Sequence, residues 1–288
     1  MKKIIAIILA IVTVVGCVCM FAACGDTESE PVIKMVNVDL SSEEYGFAIR
    51  KGDTALKASV NAFFAEKKDE IAAIFDKYTA EDADLSSFGK QYSTESTNHA
   101  NELVVATNLE FAPFEYTNGN KIAGIDMEIA ELLAQYLGKT LVIKHMDFEA
   151  VVSTVQNDDN YDIGIAGLTI SPDRMEMVDF SDAYFGATQV LIVKEGDNTF
   201  ADCTTAEAVE AKLASLTGDA AKCGGQTGTT SQFYINGNED MGFDGFSNLK
   251  FGAYASAALA IQDMLNGKIA FVVVDKTTAA ALVKSFND

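Results

Sequence analysis

The spacing of hydrophobic and polar positions changes along the chain and divides it into three parts. Residues 4–23 are almost uniformly apolar, whereas residues 45–78 show one short strand pattern followed by apolar positions at helical spacing. From residue 102 onward, short β-branched apolar runs alternate with amphipathic helical patterns. Buried strands separated by helices are typical of a parallel α/β sheet. The pattern therefore predicts an α/β fold.

The stretch EEYGFAIRKGD, residues 43–53, predicts a strand that ends in a Gly-Asp turn and leads into one long helix. Asp53 or Thr54 can cap that helix, which the apolar spacing extends to about residue 78. One strand and one helix bury too little apolar surface to be stable alone. We therefore expect this pair to pack against the rest of the chain. Residues 79–100 show no period and predict a linker.

The first 23 residues have the features of an export signal. Lys2 and Lys3 precede the apolar run IIAIILAIVTVVG, and the small residues of FAAC lead up to Cys24. This segment resembles the lipobox of bacterial lipoproteins, which implies a signal peptide over 1–23, a lipid on Cys24 and a tether over 24–30. The alternative is an uncleaved anchor, because residues 4–23 are long enough to span a bilayer. Both readings place the protein outside the cytoplasm at a membrane.

The charge and cysteine content exclude some classes of function. A formal charge of −21 argues against nucleic acid as a partner, and a strong net charge of one sign favours a soluble monomer. Cys203 and Cys223 follow the signal segment, and in an exported protein such a pair predicts a disulfide. Their spacing fits no zinc pattern and the chain has two histidines, so we expect neither a metal nor a cofactor.

Five motifs occur in a characteristic order within residues 101–283. This order resembles that of the family 3 solute-binding proteins of ABC transporters, which capture polar amino acids outside the cell. The resemblance implies a two-lobed, periplasmic-binding-protein-like fold of type II, with two parallel or mixed sheets joined by a two-strand hinge. In chain order the motifs are ELVVATNLEFAPFEY, IAGIDMEIAELLAQYLG, MDFEAVVSTVQ, YDIGIAGLTISPDRMEMVDFSDAYF and GQTGTTSQF.

The order of the chain departs from that family in one respect. A segment resembling residues 33–78 comes last in the family but first in this chain, which implies a circular permutant. The alternative is a domain-swapped dimer in which this segment completes another molecule. Hinge strands are expected at 45–51 and 188–194. The expected lobes are 52–190, including the linker 79–100, for lobe 1 and 31–51 with 191–288 for lobe 2.

The stretch GLTISPDR predicts a strand, a turn and a helix that Ser171 caps. Arg174 then lies in the first helical turn, beside free backbone N–H groups that favour an anion. A surface ion pair of Arg174 with Asp173 or Glu176 is the alternative. A free amino acid presents a carboxylate and an ammonium group, and both need charged or polar partners when they are buried.

The family resemblance assigns polar partners to the ligand backbone. It implies that Arg174 and the Thr169 amide bind the carboxylate, and that the carbonyl of Gly167 accepts from the ammonium group. Thr230, with Thr229 beside it in GQTGTTSQF, is expected to meet the carboxylate from the opposite lobe. A Gly-Thr-Thr turn alone is also a common helix cap.

The remaining candidates concern the ammonium group and the ligand side chain. Asp275 ends the apolar run IAFVVVD, and the resemblance makes it the counter-ion of the ammonium group. The alternative role is a cap of the following helix. Phe111 and Phe148 match aromatic positions that enclose the ligand side chain, whereas Phe114 is expected in the core. The candidates for contacting the tip of the side chain are Asn108, Glu110 and Gln226.

The sequence therefore predicts a lipid-anchored extracellular receptor that binds a polar amino acid and delivers it to an ABC transporter permease. No catalysis is expected. One alternative is an enzyme on the same scaffold that resembles arogenate or prephenate dehydratases, with Glu110, Glu115 or Asp275 as its acid. A ligand-sensing module that signals to a membrane partner is a further alternative.

Overall fold

The computed structural model of the protein describes residues 32–288, so the predicted signal peptide 1–23, Cys24 and the tether 24–30 lie outside the described residues. Within 32–288, no helix combines the length and the apolar character needed to cross a membrane. The strands are β1 (Ile33–Val36), β2 (Glu43–Tyr45), β3 (Ala48–Arg50), β4 (Glu102–Thr107), β5 (Glu110–Phe111), β6 (Glu115–Asn118), β7 (Lys121–Ala123), β8 (Thr140–His145), β9 (Ile163–Gly164), β10 (Val178–Phe180), β11 (Phe185–Ala187), β12 (Gln189–Lys194), β13 (Lys222–Gln226), β14 (Lys250–Tyr254) and β15 (Phe271–Asp275). The helices are α1 (Thr54–Glu66), α2 (Lys68–Thr79), α3 (Ile125–Tyr136), α4 (Phe148–Asn157), α5 (Pro172–Met177), α6 (Ala206–Ser215), α7 (Thr230–Asn236), α8 (Ala257–Leu265) and α9 (Lys276–Asn287).

The strands form two mixed five-stranded sheets, and each sheet is the centre of one lobe. The sheet of the first lobe has the order β10-β3-β9-β4-β8, with β4 parallel to both β8 and β9. The sheet of the second lobe has the order β1-β12-β15-β13-β14, with β13 parallel to both β14 and β15. Helices α1 to α5 pack on the first lobe and α6 to α9 on the second.

The opening segment of the chain contributes a strand to each lobe. β1 pairs antiparallel with β12 at the edge of the second sheet, and β3 lies between β10 and β9 inside the first sheet. Between them, β2 pairs with β11 in a separate two-stranded ribbon that joins the lobes. Residues 33–50 therefore complete both sheets within the same chain.

The pairing differs from the hinge and lobe boundaries expected from the sequence. The crossover consists of residues 43–45 and 185–187, rather than 45–51 and 188–194. Residues 48–50 belong to the first lobe, because they pair with strands on both sides there. Residues 189–194 belong to the second lobe for the same reason, since they lie between β1 and β15.

The helix expected over 53–78 is two helices that meet at Lys67. Asp53 caps α1 as predicted, because its carboxylate accepts from the backbone N–H of Leu56 at 2.9 Å. The break lets both α1 and α2 contact α3, and Tyr78 on α2 donates to Glu128 on α3 at 2.8 Å. The large apolar residues on either side of Lys67, Phe64 and Ile71, are seven positions apart and so keep helical register, and the sequence pattern alone therefore did not locate the break.

The segment 79–100 follows the surface of the first lobe. It contains a short 3₁₀ helix at Leu85–Ser87 and forms isolated bridges from Lys90 to Ile122 and from Ser93 to Val142. Lys284 of the second lobe donates to the carbonyls of residues 81 and 83 in this segment. The segment therefore connects α2 to β4 along one side of the molecule.

The two ends of the described chain are adjacent. The side-chain oxygen of Asn287 in α9 accepts from the backbone N–H groups of Val32 at 2.8 Å and Ile33 at 3.1 Å. The side-chain amide of Asn287 donates in turn to the carbonyl of Ile33 at 2.9 Å. The end of α9 and the start of β1 are thus in direct contact.

The disulfide expected between Cys203 and Cys223 is absent, and both thiols are free. Cys223 lies on the interior strand β13 and is fully buried, and its thiol contacts the carbonyl of Lys250. The thiol of Cys203 instead contacts the carbonyl of Ala208. The two side chains pack in the same hydrophobic cluster without bonding. Disulfide formation depends on the distance between the two cysteines and on the direction of their side chains, which their spacing in the sequence does not determine.

Phe47 tests whether the opening segment is part of the core. Its side chain is fully buried, and its ring lies 5.2 Å from that of Phe64 and 4.9 Å from that of Tyr184, between ring centroids. We expect Phe47→Ala to lower the free energy of unfolding by about 3–5 kcal/mol, because it leaves a cavity in this cluster. Urea denaturation measures this change.

Phe47→Leu is the matched control, and it should cost less because leucine retains most of the apolar volume. If Phe47→Ala were as stable as the wild type, the opening segment would not be part of the folded core.

Candidate functional site

A small cavity of about 10 Å³ lies between the two lobes, and sequence reasoning had selected every residue that lines it. Both lobes contribute to its wall, from the ends of strands and the starts of helices. The lining residues are Phe111, Phe148, Gly167, Thr169, Arg174, Gln226, Thr229, Thr230 and Asp275.

Arg174 is buried in this cavity and does not form the alternative surface ion pair. Ser171 caps α5 as predicted, and its hydroxyl accepts from the backbone N–H of Arg174 at 3.4 Å. The guanidinium donates to the carbonyl of Thr169 at 2.9 Å and to that of Gly228 at 3.1 Å. Because Gly228 belongs to the second lobe, Arg174 connects the two lobes directly. The Phe148 ring lies 5.3 Å from the guanidinium carbon.

Thr169 and Thr230 meet across the cleft. Their hydroxyl oxygens are 3.1 Å apart, and the Thr169 hydroxyl also donates to Glu43 at 2.9 Å. The Thr230 hydroxyl must therefore donate to Thr169, since the hydroxyl proton of Thr169 is already used. The hydroxyl of Thr229 does not join this series of hydrogen bonds, because it donates to the carbonyl of Gln226 at 2.7 Å.

Gly167 has a backbone conformation that other residues rarely adopt, with φ at +53°. A Cβ atom at this position would lie 3.0 Å from the ring of Phe111, so glycine is also required by the close packing. Its backbone N–H donates to Asp126 at 2.8 Å. Phe111 is itself held by the ring of the buried Phe114, with centroids 5.7 Å apart.

Asp275 lies at the end of β15, and the hydroxyl of Tyr45 donates to its carboxylate at 2.5 Å. The side chain makes no capping bond to α9, so the alternative role as a helix cap is not observed. Burial and then the nearby Glu43 raise the pKa of Asp275, the Tyr45 hydroxyl lowers it, and the net value is about 7. Near neutral pH, Asp275 therefore exchanges between its charged and neutral forms.

Burial acts in the opposite direction on the cation of the site. It lowers the pKa of Arg174 to about 10, and the carboxylates of Glu43 and Asp275 partly offset this effect. The guanidinium is still charged at neutral pH. The cavity is thus lined by one cation and one carboxyl group, and the carboxyl group of Glu43 lies behind it in a largely water-excluded space.

The three residues expected to contact the tip of the ligand side chain have different positions. Gln226 lines the cavity and donates to Asn108 across the cleft at 2.9 Å. Asn108 is buried behind this contact and donates to the carbonyl of Met146 at 2.9 Å. Glu110 is exposed and does not line the cavity. The geometry therefore supports Gln226 as a contact of a ligand side chain and gives no support to Glu110.

Sequence reasoning missed the polar cluster behind the cavity. Glu43 accepts from the hydroxyl of Ser41 at 2.7 Å, from Thr169, and from the side-chain amide of Gln189 at 3.0 Å. Ser231 donates to the same Gln189 side chain at 2.8 Å. The available sequence signal for this cluster was an acidic residue close to an aromatic one in the EEYGF strand. An acidic side chain that is buried on a hinge strand needs hydrogen-bond partners.

The arrangement is suited to a zwitterion. A guanidinium has five N–H donors, and the two bonds of Arg174 to carbonyl groups leave three for an anion. Asp275 provides an acceptor on the same cavity, and Gly167 also lines it. Among residues 32–288 no cluster of histidine, cysteine or acidic side chains is placed to hold a metal ion.

Comparisons with known proteins agree with this geometry. A model of the bacterial extracellular solute-binding proteins, family 3, matches residues 103–288. The arginine-binding extracellular protein of Bacillus subtilis is 33% identical over 94 residues, which cover 33% of this chain and 36% of that protein. A probable histidine-binding protein of Neisseria gonorrhoeae is 31% identical over 202 residues, covering 68% and 67%. The chain thus spans about a third of the first relative and two thirds of the second.

Two solved structures share the fold. An ancestral arginine-binding protein bound to arginine has a TM-score of 0.54 and 32% identity, covering 64% of this chain and 74% of that one. An ancestral amino acid-binding protein, described as a precursor of cyclohexadienyl dehydratase, has a TM-score of 0.55 and 27% identity, covering 65% and 75%. These similarities confirm the predicted two-lobed α/β fold.

The hydrogen bond from Tyr45 to Asp275 gives a testable pH dependence. In Tyr45→Phe the carboxylate loses a donor that stabilises its charged form, so the pKa of Asp275 should rise above the wild-type value of about 7. Because this pKa exceeds the ordinary 3.8, folding stability should fall as the pH rises from about 4 to 7, and over a wider range in the variant. The carboxyl carbon shift of Asp275, followed by NMR against pH, measures the change.

Tyr184→Phe is the control, because the hydroxyl of Tyr184 donates to Asp126 instead and its removal should leave the pKa of Asp275 near 7. An equal shift in both variants would contradict the assigned role of Tyr45.

Proposed function

Because the chain belongs to the bacterial extracellular solute-binding proteins of family 3, we propose that it is a receptor for a polar amino acid, which binds between the two lobes. One observation carries the proposal: Arg174 and Asp275 are both buried on a single interlobe cavity, which Gly167 also lines. Two opposite charges on one cavity are complementary to the two charged groups of an amino acid.

The ligand carboxylate would bind to Arg174. The guanidinium is already oriented by its bonds to the carbonyls of Thr169 and Gly228, so little side-chain freedom is lost on binding. The Thr230 hydroxyl and backbone amide would approach the same carboxylate from the second lobe. A ligand in this position contacts both lobes and so stabilises their association.

The ammonium group would lie between Asp275 and the carbonyl of Gly167. An ammonium group favours the ionised form of Asp275, so binding is expected to be tighter at a pH above its pKa of about 7. Phe111 and Phe148 would enclose the ligand side chain, with the Gln226 amide at the same wall. Aromatic walls with one amide suit an uncharged or cationic polar side chain.

Delivery to a permease and attachment to the membrane are also part of the proposal. The lipobox-like FAAC motif supports a lipid on Cys24, and the family description supports a location outside the cytoplasm. Several relatives carry names of binding proteins of ABC transporters, which supports a permease as the partner. A sensing role would use the same site and differ only in the membrane partner.

We further propose that the protein binds its ligand without turnover. Of the acids considered for a dehydratase-like reaction, Glu110 is exposed, Glu115 is buried away from the cavity lining, and Asp275 is bonded to Tyr45. A general acid must reach the reacting atom of the substrate. Of these three acids only Asp275 lines the cavity. In the proposed complex its carboxylate would bind the ligand ammonium group.

We also propose that the chain is a circular permutant within its family. The family match begins at residue 103 and continues to the last residue, 288, while residues 33–50 complete both sheets in front of it. The contact of Asn287 with Ile33 supports a former connection between α9 and β1. Nearby surface termini make such a rearrangement compatible with the fold.

Removal of the Arg174 side chain tests the binding site. A thermal-shift screen with the twenty amino acids, ornithine, citrulline and cystine should first identify a ligand of the wild-type protein. Arg174→Ala should then weaken the binding of that ligand by about 100-fold or more, because two charge-assisted hydrogen bonds are lost. Calorimetry measures the dissociation constants.

Arg50→Ala is the matched control, because Arg50 donates to carbonyls of the first lobe far from the cavity, and its removal should leave binding unchanged. Unchanged affinity in Arg174→Ala would contradict the assignment.

Reordering the chain tests the permutation. A variant that begins at residue 80, runs to 288 and continues through a few Gly and Ser residues from 32 to 79 should fold as a monomer. It should bind the same ligand with the same affinity, because the strand pairings do not depend on the order of the segments.

The truncated chain 80–288 serves as the control and should neither fold stably nor bind, since it lacks β1, β2 and β3. A stable dimer of the natural chain in light scattering, with no monomer, would favour domain swapping instead.

A further inference from the structure

Two acidic side chains, Glu115 and Asp126, are fully buried behind the cavity and have no role in the site described above. Glu115 begins β6 and Asp126 lies in the first turn of α3. Fully buried acids are rare unless each has a partner. The two acids are neighbours, because the backbone N–H of Asp126 donates to the carbonyl of Phe114, the residue before Glu115, at 2.8 Å, and each side chain alters the pKa of the other.

A hydrogen bond between the two carboxyl groups requires a proton. Two ionised carboxylates can only accept hydrogen bonds, so one of the pair must be protonated to donate to the other. Neither side-chain oxygen of Glu115 has a hydrogen-bond partner within residues 32–288. An ionised Glu115 would therefore be a buried charge without a donor, which is strongly unfavourable.

The surroundings assign the proton to Glu115. Asp126 accepts from the backbone N–H of Gly167 at 2.8 Å and from the Tyr184 hydroxyl at 2.7 Å, and both bonds favour its ionised form. Its place in the first turn of α3 also favours a negative charge. Burial raises the pKa of Glu115 well above its usual range, while that of Asp126 is about 6.

Asp126 in turn fixes the backbone at Gly167. This residue has φ at +53° and packs against Phe111, and its N–H is held by the Asp126 carboxylate. The carbonyl of the same residue is the acceptor assigned to the ligand ammonium group. The orientation of that carbonyl therefore depends on the carboxylate behind it.

We propose that Glu115 is a positioning residue of the ammonium subsite: as a neutral carboxylic acid it donates to Asp126, and Asp126 thereby holds Gly167 with its carbonyl toward the ligand. The part that concerns the ligand rests on the proposed function. Glu115 does not touch the ligand and acts only through Asp126 and Gly167.

The charged neighbours explain why a neutral acid suits this position. Besides Asp126, the titratable groups nearest the pair are Tyr184, which donates to it, and Asp275, whose charge raises the pKa of Glu115. A second carboxylate at residue 115 would repel both Asp126 and Asp275. A protonated Glu115 keeps one donor in place and adds no charge.

Two substitutions separate the hydrogen bond from the proton. Glu115→Gln keeps a donor toward Asp126 but cannot ionise, whereas Glu115→Leu removes the donor and keeps an apolar side chain of similar length. Tyr116→Phe is the control, because it removes a different buried hydrogen bond, to the carbonyl of Leu85, from the neighbouring position of β6.

The first measurement needs no ligand. The infrared difference between wild type and Glu115→Gln at pH 7 should contain the C=O stretch of a protonated carboxylic acid. The Gly167 amide proton should resonate at the same position in wild type, Glu115→Gln and Tyr116→Phe, and should move in Glu115→Leu.

Stability should also separate the variants. A group with a raised pKa in the folded state destabilises the fold as the pH rises above its ordinary value, so Glu115→Gln should gain melting temperature over wild type between pH 5 and pH 8.

The second measurement uses L-arginine, L-histidine and L-glutamine as probes in calorimetry. For a probe that binds the wild type, Glu115→Gln and Tyr116→Phe should bind within about threefold of it, and Glu115→Leu about tenfold more weakly or worse. The tenfold loss in Glu115→Leu with recovery in Glu115→Gln supports positioning.

Wild-type affinity in Glu115→Leu, or the absence of a carboxylic acid band, would overturn the inference. If Glu115→Leu does not fold, the inference is tested by the infrared band and by the pH dependence of the melting temperature of Glu115→Gln. If the wild type binds no amino acid while both of these results hold, the proposed function fails and the protonated Glu115 stands.

Discussion

The burial of opposite charges between two lobes is the constraint on which the rest of the structure depends. Arg174, Glu43 and Asp275 share a space of low solvent access, and each must be compensated by directed hydrogen bonds. The compensating groups come from both lobes, as the carbonyls that Arg174 contacts demonstrate. The position of one lobe relative to the other is therefore part of the electrostatics of the site.

The opening segment of the chain provides much of this compensation. Tyr45 donates to Asp275, and Glu43 accepts from Thr169 in the first lobe and Gln189 in the second. Both acidic and aromatic side chains lie on β2, the strand that joins the lobes. The same residues thus form the hinge and the polar layer behind the cavity, which explains why a segment distant in sequence is required for a site at residues 111–275.

A graded set of acids surrounds the proposed ammonium position. Asp275 is poised near neutral pH, Asp126 is ionised behind the Gly167 carbonyl, and Glu115 is neutral one step further away. The number of hydrogen-bond donors follows the same order of charge, since Asp126 has two donors besides Glu115 and Glu115 has none. Placing a single proton among buried carboxyl groups limits the repulsion between them.

The sequence by itself determined the residues that line the cavity, because the order of its motifs resembles that of a known family and some of these motifs also carry a local signal. Arg174 behind its Ser171 cap is the clearest example. Only the tertiary structure decided which groups support them: Tyr45 and Asp275 are 230 positions apart, and no local pattern couples residues at that separation. For the same reason the proton on Glu115 and the free thiol of Cys223 follow from contacts between distant segments, whereas the strand and helix pattern follows from neighbours along the chain.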